Sequence, residues 1–394
     1  MFSANTGRNR LTPRGFVIAF GVVSLLGDVV YEGGRSIAGP YLATLGASAT
    51  VVGVVSGAGE AVALMLRLGT GRVSDRTGRR WALAVAGYAI TVVSVPMMAL
   101  ARSVPAASAL VVSERFGKAV RSPARDTMLA QASGDMGRGR AFAIHEALDQ
   151  SGALIGPLIV AAMVAISGYR LGFAVLAIPG ALTLVAVARL RAAVPDPAAY
   201  EPADVSQPGE RTAADGGFPA RFWMYAAFTA LTMTGFATFA VLGYHLQARH
   251  VLSPPWIPVV YAAAMGAAAL GALAAGWAYD RAGLRGLAML PVLAAIVPFL
   301  SFSTTPALVW IGAVVWGVAM GVHESTMRAA VADLVPAARR GAGFGAFTAV
   351  YGLAWLAGGG LVAALYSRSV GDAEAFVVGV QAAALVAFAP LWRP

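Results

Sequence analysis

No cysteine occurs in these 394 residues, so the chain has neither a disulfide framework nor a thiolate metal site. The four histidines, His145, His245, His250 and His323, are too scattered to build a metal centre without thiolates. Charge is scarce as well. Only 12% of the residues are Asp, Glu, Lys or Arg and 58% are hydrophobic, which excludes a soluble domain of ordinary composition. Lysine is nearly missing: Lys118 is the single one among 29 basic residues. No GxxxxGK[ST] loop is present, so a gradient rather than a nucleotide must supply energy for any transport. No nucleophile, base and orienting group stand at a recognisable spacing, so an enzyme is not expected, nor is a cofactor or a metal.

What is present is apolar sequence in long runs. The mean hydropathy is +0.71. Runs near 15–41, 50–70, 81–101, 105–122, 141–167, 170–190, 221–247, 256–279, 286–303, 306–328, 341–366 and 371–391 are each long enough to cross a bilayer as a helix. The expectation is an all-α integral membrane protein of about twelve transmembrane helices. Arg8, Arg10 and Arg14 before the first run imitate a signal peptide, but that run continues through Asp28 and Glu32 with no small-residue cleavage pattern, so it reads as the first span. The net charge of +10 does not point to nucleic acid, because the arginines sit between apolar runs rather than in one basic patch. With the N-terminus in the cytoplasm, the outside loops hold only Arg102, Arg170, Arg249 and Arg368, while inside segments hold groups such as Arg72, Arg76, Arg79 and Arg80. The positive-inside rule then places both termini in the cytoplasm of a multi-pass protein of the plasma (inner) membrane.

A long polar segment, rich in Pro, Asp, Glu, Ala and Gly, separates spans six and seven. It divides the chain into 1–190, a linker 191–220, and 221–394. The halves repeat each other. Gly71, Asp75, Arg76, Gly78 and Arg80 recur 205 positions later as Gly276, Asp280, Arg281, Gly283 and Arg285, and Arg140 and Gly152 recur 200 positions later as Arg340 and Gly352. A duplicated six-helix unit, hence two pseudo-symmetric bundles, follows.

The loop Gly71-Arg-Val-Ser-Asp75-Arg76-Thr-Gly78-Arg79-Arg80 resembles the signature loop of the major facilitator superfamily. Its glycines allow tight turning and close helix contact, and Asp75 is a hydrogen-bond acceptor. The resemblance implies a gate formed by Gly71, Asp75, Arg76, Gly78, Arg79 and Arg80, with Asp280 and Arg281 in the second copy and the helix start at Arg340 as partner. Gly152-Ala-Leu-Ile-Gly156-Pro157 is similar to the span-five motif of proton-driven exporters, although Val160 and Ala161 stand where a further glycine pair is usual. The GxxxG spacing is equally a plain packing motif. From Asp28 to Pro157, and again over Ala332 to Gly341, the chain looks like a poorly characterised prokaryotic branch of the superfamily.

Ionisable residues within spans are site candidates by default. Asp28, Glu32 and Arg35 share one face of span one, Glu60 and Arg67 one face of span two, and Glu114, Lys118, Arg121 and Arg125 form a stripe on span four beside Arg115. His145 and Asp149 lie on span five. At about 1.5 Å per residue Lys118 and Asp149 reach equal depth, so they are expected to pair. The proton- or substrate-binding set is therefore Asp28, Glu32, Arg35, Glu60, Glu114, Arg115, Lys118, His145 and Asp149. Arg67, Arg121 and Arg125 read as anchors near the inner face, His245 and His250 as interfacial, and His323, Glu324 and Arg328 as a local cluster whose i, i+4 spacing suits an ion pair. Trp316, Tyr351 and Trp355 are expected to line a cavity. The functional expectation is proton-coupled export of a small, amphipathic or weakly charged organic compound by alternating access, in a monomer with the lipid bilayer around it. The alternatives are uptake or uniport of an anionic solute, and a non-transporting sensor or assembly partner that kept the fold.

Overall fold

The computed structural model describes residues 9–133, 136, 138–200, 217–335 and 340–392; the side chains at 68, 75, 138–139, 280, 324–329, 332 and 340–342 lie outside this description. Everything described is helix or short connection. The helices are α1 (Pro13–Thr44), α2 (Ala49–Thr77), α3 (Arg80–Met97), α4 (Val104–Ala132), α5 (Arg138–Ala174), α6 (Ala177–Ala193), α7 (Ala220–Thr234), α8 (Phe239–Ala248), α9 (Trp256–Ala282), α10 (Met289–Ser301), α11 (Pro306–Leu334), α12 (Arg340–Arg368) and α13 (Val370–Phe388).

Ten helical stretches among the described residues are long and apolar enough to cross a membrane. One of them, 140–193, contains both α5 and α6, and the backbone leaves helical angles at Ser167 and at Gly168, whose φ of 74° suits a residue without Cβ. The charged helix α4 is not among the ten, because Glu114, Arg115, Lys118, Arg121, Arg125 and Asp126 all fall within it. Lipid is the natural neighbour of the outward faces: Leu270, Leu273 and Trp277 form a stripe on α9 that is 70, 74 and 62% exposed. A stripe of that kind in water would invite aggregation, and in hydrocarbon it costs nothing.

The chain packs as two compact units. The first comprises residues 1–34, 66–101 and 109–211; the second comprises 35–65, 102–108 and 212–394. In the first unit, small residues bring backbones together. A methyl group at Gly152 or Gly156 of α5 would run into the carbonyls of Leu25 and Val29 on α1, and one at Gly87 of α3 would sit 2.6 Å from Gly117 O on α4. At one end Phe20 stacks on Trp81 and Phe16 meets it edge-on, and there Trp81 Nε1 donates to Val194 O (3.0 Å) and Tyr200 Oη to Leu11 O (2.6 Å).

In the second unit, the segment 35–65 packs on helices from late in the chain. Gly39 abuts the Ala240 backbone, Gly53 abuts Gly359 and Ala363, and Thr50 Oγ1 lies 3.1 Å from Ser367 Oγ. Span seven is interrupted. α7 stops at Thr234 and α8 restarts at Phe239, with Ala237 O accepting from Trp316 Nε1 at 2.8 Å. The continuous apolar run 221–247 gives no hint of this break.

The internal repeat extends to the backbone. α2 ends at Thr77 and is followed by Gly78 at φ 64°, and α9 ends at Ala282 and is followed by Gly283 at φ 57°. The turn of the signature loop is thus made by Gly78 alone. Gly71 and Gly276 lie inside helices and make no turn.

Candidate functional site

The first unit buries a charge network built from α1, α3, α4 and α5. Asp28 Oδ1 lies 3.1 Å from Arg121 Nη2, with side-chain exposures of 9 and 1%. The guanidinium of Arg121 rests over the Tyr88 ring, 4.6 Å from its centroid. Tyr88 Oη is 2.9 Å from Ser24 Oγ, which in turn is 2.7 Å from His145 Nε2. Ser24 precedes Asp28 by one helical turn, and His145 precedes Asp149 by one turn, so two adjacent turns of α1 and of α5 feed the same network. One turn along α4 from Arg121, Arg125 Nε donates to Asp126 Oδ1 (2.9 Å), and Arg125 Nη1 is 4.0 Å from Asp149 Oδ1.

Two expectations are corrected by this geometry. The partner of Asp149 is Arg125, not Lys118, whose ammonium instead sits 3.7 Å from the centroid of the Tyr31 ring. Matched depth does not ensure a matched face, and the stripe on α4 turns Arg125 rather than Lys118 toward α5. Arg121 and Arg125 are also not snorkelling anchors: Arg121 is among the largest fully buried side chains, and Arg125 is largely buried. Their spacing, continuing the Glu114–Lys118 stripe by turns, was the available signal. Tyr31, Tyr88 and Ser24 belong to the site without any signal in the sequence, since a hydroxyl or ring inside an apolar span looks like packing.

Further along α4, Arg115 Nε lies 3.5 Å from Glu114 Oε2 and its guanidinium 4.7 Å from the Tyr31 ring centroid, both side chains being buried. Glu32 is buried too. In the second unit Arg35 Nη2 pairs with Glu60 Oε1 at 3.2 Å, both largely buried. Burying an ion costs several kcal/mol even after relaxation, roughly offset only when a partner and further hydrogen bonds are supplied. A membrane helix that carries this many charges is therefore held by its partners, not by its own hydropathy.

Aromatic residues of the second unit cluster around the break between α7 and α8. Trp316 is fully buried and hydrogen-bonded, so it exposes no surface to line a cavity in this conformation, contrary to expectation. Tyr351 is partly exposed and Trp355 is buried. His245 is not interfacial but 1% exposed, with Nδ1 2.8 Å from Tyr366 Oη and Nε2 3.3 Å from Ser303 O. His250 is exposed. His323 is buried with its ring centroid 5.2 Å from that of Phe236, while the side chains of Glu324 and Arg328 lie outside the described residues.

Of the expected gate, the side chains of Asp75, Asp280 and Arg340 are likewise outside the description. Arg76 and Arg79 are exposed, Arg80 Nη1 donates to Gln131 Oε1 (3.4 Å), and the Arg281 guanidinium sits 3.5 Å from the Trp277 ring centroid.

The sequence signature of the Major Facilitator Superfamily matches residues 24–392. An uncharacterised protein of Mycobacterium tuberculosis is 50% identical over 373 residues, 94% of this chain and 91% of the relative. An uncharacterised MFS-type transporter of Methanocaldococcus jannaschii is 27% identical over 171 residues, 43% of each chain. The fold is shared with the nucleoside transporter NupG (TM-score 0.72, 17% identity, 95% of this chain and 98% of that one). It is shared too with a POT family transporter in complex with 5-aminolevulinic acid (TM-score 0.76, 14% identity, 97% of each). A bacterial homologue of the human lysosomal transporter Spinster, inward-facing and unoccupied, gives a TM-score of 0.72 at 16% identity, over 96% of this chain and 95% of that one. The chain belongs to the Major Facilitator Superfamily, a family of transporters rather than of enzymes.

Proposed function

We propose that this protein is a secondary active transporter that takes up a small anionic organic solute together with protons, by alternating access of two six-helix bundles. The bundles are residues 1–190 and 221–394, joined by the linker 191–220, with both termini in the cytoplasm. Dividing 138–193 at Gly168, counting α4, and joining α7 with α8 brings the spans to twelve. The observation that carries the reading is the Asp28–Arg121 pair, 3.1 Å apart and buried among spans one, three, four and five. Protonating Asp28 removes the charge that holds Arg121, and Arg121 is then free to meet an anionic group of the solute. Arg115 and Lys118, on the same helix, supply further positive charge beside Tyr31. The fold neighbours, described as a nucleoside transporter and a POT family transporter in complex with 5-aminolevulinic acid, support a small organic solute.

The test is reconstitution in proteoliposomes with an imposed pH gradient, reading internal pH while candidate solutes are added. A transported anion should alkalinise the proton-donating side. Asp28→Asn should abolish that proton movement while gradient-free exchange of solute persists. Unaltered proton flux in Asp28→Asn would place coupling elsewhere.

Export is the second reading, favoured by the Gly152–Pro157 motif. The contacts of Gly152 and Gly156 with α1 explain that motif as helix packing. Reversing the gradient in the same vesicles separates the two directions.

A further inference from the structure

Two arginines at one end of the second unit carry charge that the buried network does not use. Arg281 lies in the last turn of α9, and Arg285 lies in the 3₁₀ turn Gly283–Ala288 that leads into α10. Gly283, at φ 57°, redirects the chain there, and a methyl group at Gly286 would lie 3.8 Å from the Ala278 backbone, so the turn folds back on α9. Both arginines are exposed. The Arg281 guanidinium sits 3.5 Å from the centroid of the exposed Trp277 ring, and Arg285 Nε donates to Trp392 O at 3.1 Å. Among the described side chains no carboxylate pairs with either of them. Asp333 accepts from Tyr279 Oη (2.8 Å), and at about 100° per residue Tyr279 projects about 160° away from Arg281 around the helix.

Leu270, Leu273, Trp277 and Arg281 fall within an arc of about 80° on α9, so the arginine ends the exposed apolar stripe described above. From Leu270 to Arg281 the helix axis runs about 16 Å, close to the depth of one leaflet of a roughly 30 Å hydrocarbon core. A second exposed strip, Met289, Val292, Ile296 and Phe299 on α10, starts immediately after the turn. A cation at the rim of a leaflet-deep apolar strip has the outline of a phospholipid, with the headgroup at one end and an acyl chain along the rest.

We propose that the turn between α9 and α10 binds one anionic phospholipid, its phosphate held by Arg281 and Arg285 and an acyl chain lying along Trp277, Leu273 and Leu270. A guanidinium stacked flat on an indole keeps its N–H edge open, and that edge matches a phosphate in a bidentate way. The two unpaired cations also choose between headgroups. Phosphatidylcholine brings a quaternary ammonium that they repel, whereas phosphatidylglycerol brings the phosphate charge alone. Such a site is independent of the direction in which solute moves.

Native mass spectrometry of the purified full chain in detergent reads each bound lipid as a mass step, and the probes are phosphatidylglycerol and phosphatidylcholine with identical acyl chains. The first phosphatidylglycerol should bind more tightly than the first phosphatidylcholine. Arg281→Gln should weaken phosphatidylglycerol about fivefold, the effect of one guanidinium near a membrane surface, and leave phosphatidylcholine unchanged. Adding Arg285→Gln should weaken it further by a similar factor. Arg191→Gln removes the same charge from the exposed end of α6 and should change nothing. Trp277→Ala deletes both the platform and the top of the strip, so it should also weaken phosphatidylglycerol. Glycerol 3-phosphate, a headgroup without chains, should fail to displace the lipid at equal concentration. Equal binding of the two lipids, wild-type binding of phosphatidylglycerol in the double arginine variant or in Trp277→Ala, or an equal loss in Arg191→Gln would each overturn the proposal. Displacement by glycerol 3-phosphate would overturn it too, by making the turn a site for free phosphate.

Discussion

Taking the Asp28 carboxylate away would leave Arg121 1% exposed, with the Tyr88 ring as the feature that receives its charge. The reverse loss strands a buried carboxylate. Arg121→Met should therefore destabilise the protein by about 3–5 kcal/mol, the usual penalty for removing one partner of a buried pair. The double variant Arg121→Met with Asp28→Leu should recover most of that, and thermal unfolding of the purified protein reads both. A second pair is tested by a cycle. Asp149→Leu should couple strongly with Arg125→Met and weakly with Lys118→Met, because Asp149 Oδ1 lies 4.0 Å from Arg125 Nη1 and Lys118 is engaged with Tyr31. Coupling stronger with Lys118 than with Arg125 would restore the pairing expected from depth. At this scale the sequence showed which charges lie in spans, since charge in an apolar run is conspicuous. It did not show who faces whom: helical depth follows from residue number, whereas azimuth depends on how neighbouring helices are rotated.

Helices meet here through missing side chains. Gly152 and Gly156 let α5 touch the α1 backbone at Leu25 and Val29, and this contact sets Asp149 and His145 at the height of Asp28 and Ser24. Gly156→Leu cannot be absorbed by a flexible neighbour, because what it meets is backbone. It should cost about 1–3 kcal/mol or more by overpacking and should disturb the His145–Ser24 hydrogen bond. A melting temperature equal to the wild type would show that α5 slides freely on α1. The GxxxG spacing was legible in the sequence, but not whether it served packing or export. The interruption at 235–238 was not legible at all, since Gly235-Phe-Ala-Thr238 is neither proline-containing nor polar enough to stand out within an apolar run. What makes it tolerable is tertiary: Trp316 Nε1 takes the Ala237 carbonyl that the broken helix frees.

Packing units and sequence halves do not coincide. The duplication is plain in the sequence and repeats in the backbone at Gly78 and Gly283, yet residues 35–65, part of the first repeat, are compact with residues 212–394. No periodicity announces that, because it depends on which helices pack on one another in three dimensions. Thr50 and Ser367 mark this seam. A chain without native cysteine accepts a reporter disulfide cleanly, and Thr50→Cys with Ser367→Cys should cross-link on oxidation. Solute flux in the oxidised form should fall about tenfold or more and return with reductant, as expected if the seam must part during each cycle. Full flux in the cross-linked protein would exempt the seam from the cycle.

The shared membership of α1 and α2 has a mechanical meaning. Each is one unbroken helix whose two ends belong to different compact units, with the change of unit at Gly34 in α1 and Met65 in α2. Moving one stretch of such a helix against the other must bend a continuous rod, so α1 and α2 act as leaf springs. A bent rod stores elastic energy and returns toward its straight form. The adjacent pair Gly33 and Gly34, where side-chain bulk is least, is where the stiffer bend in α1 would concentrate.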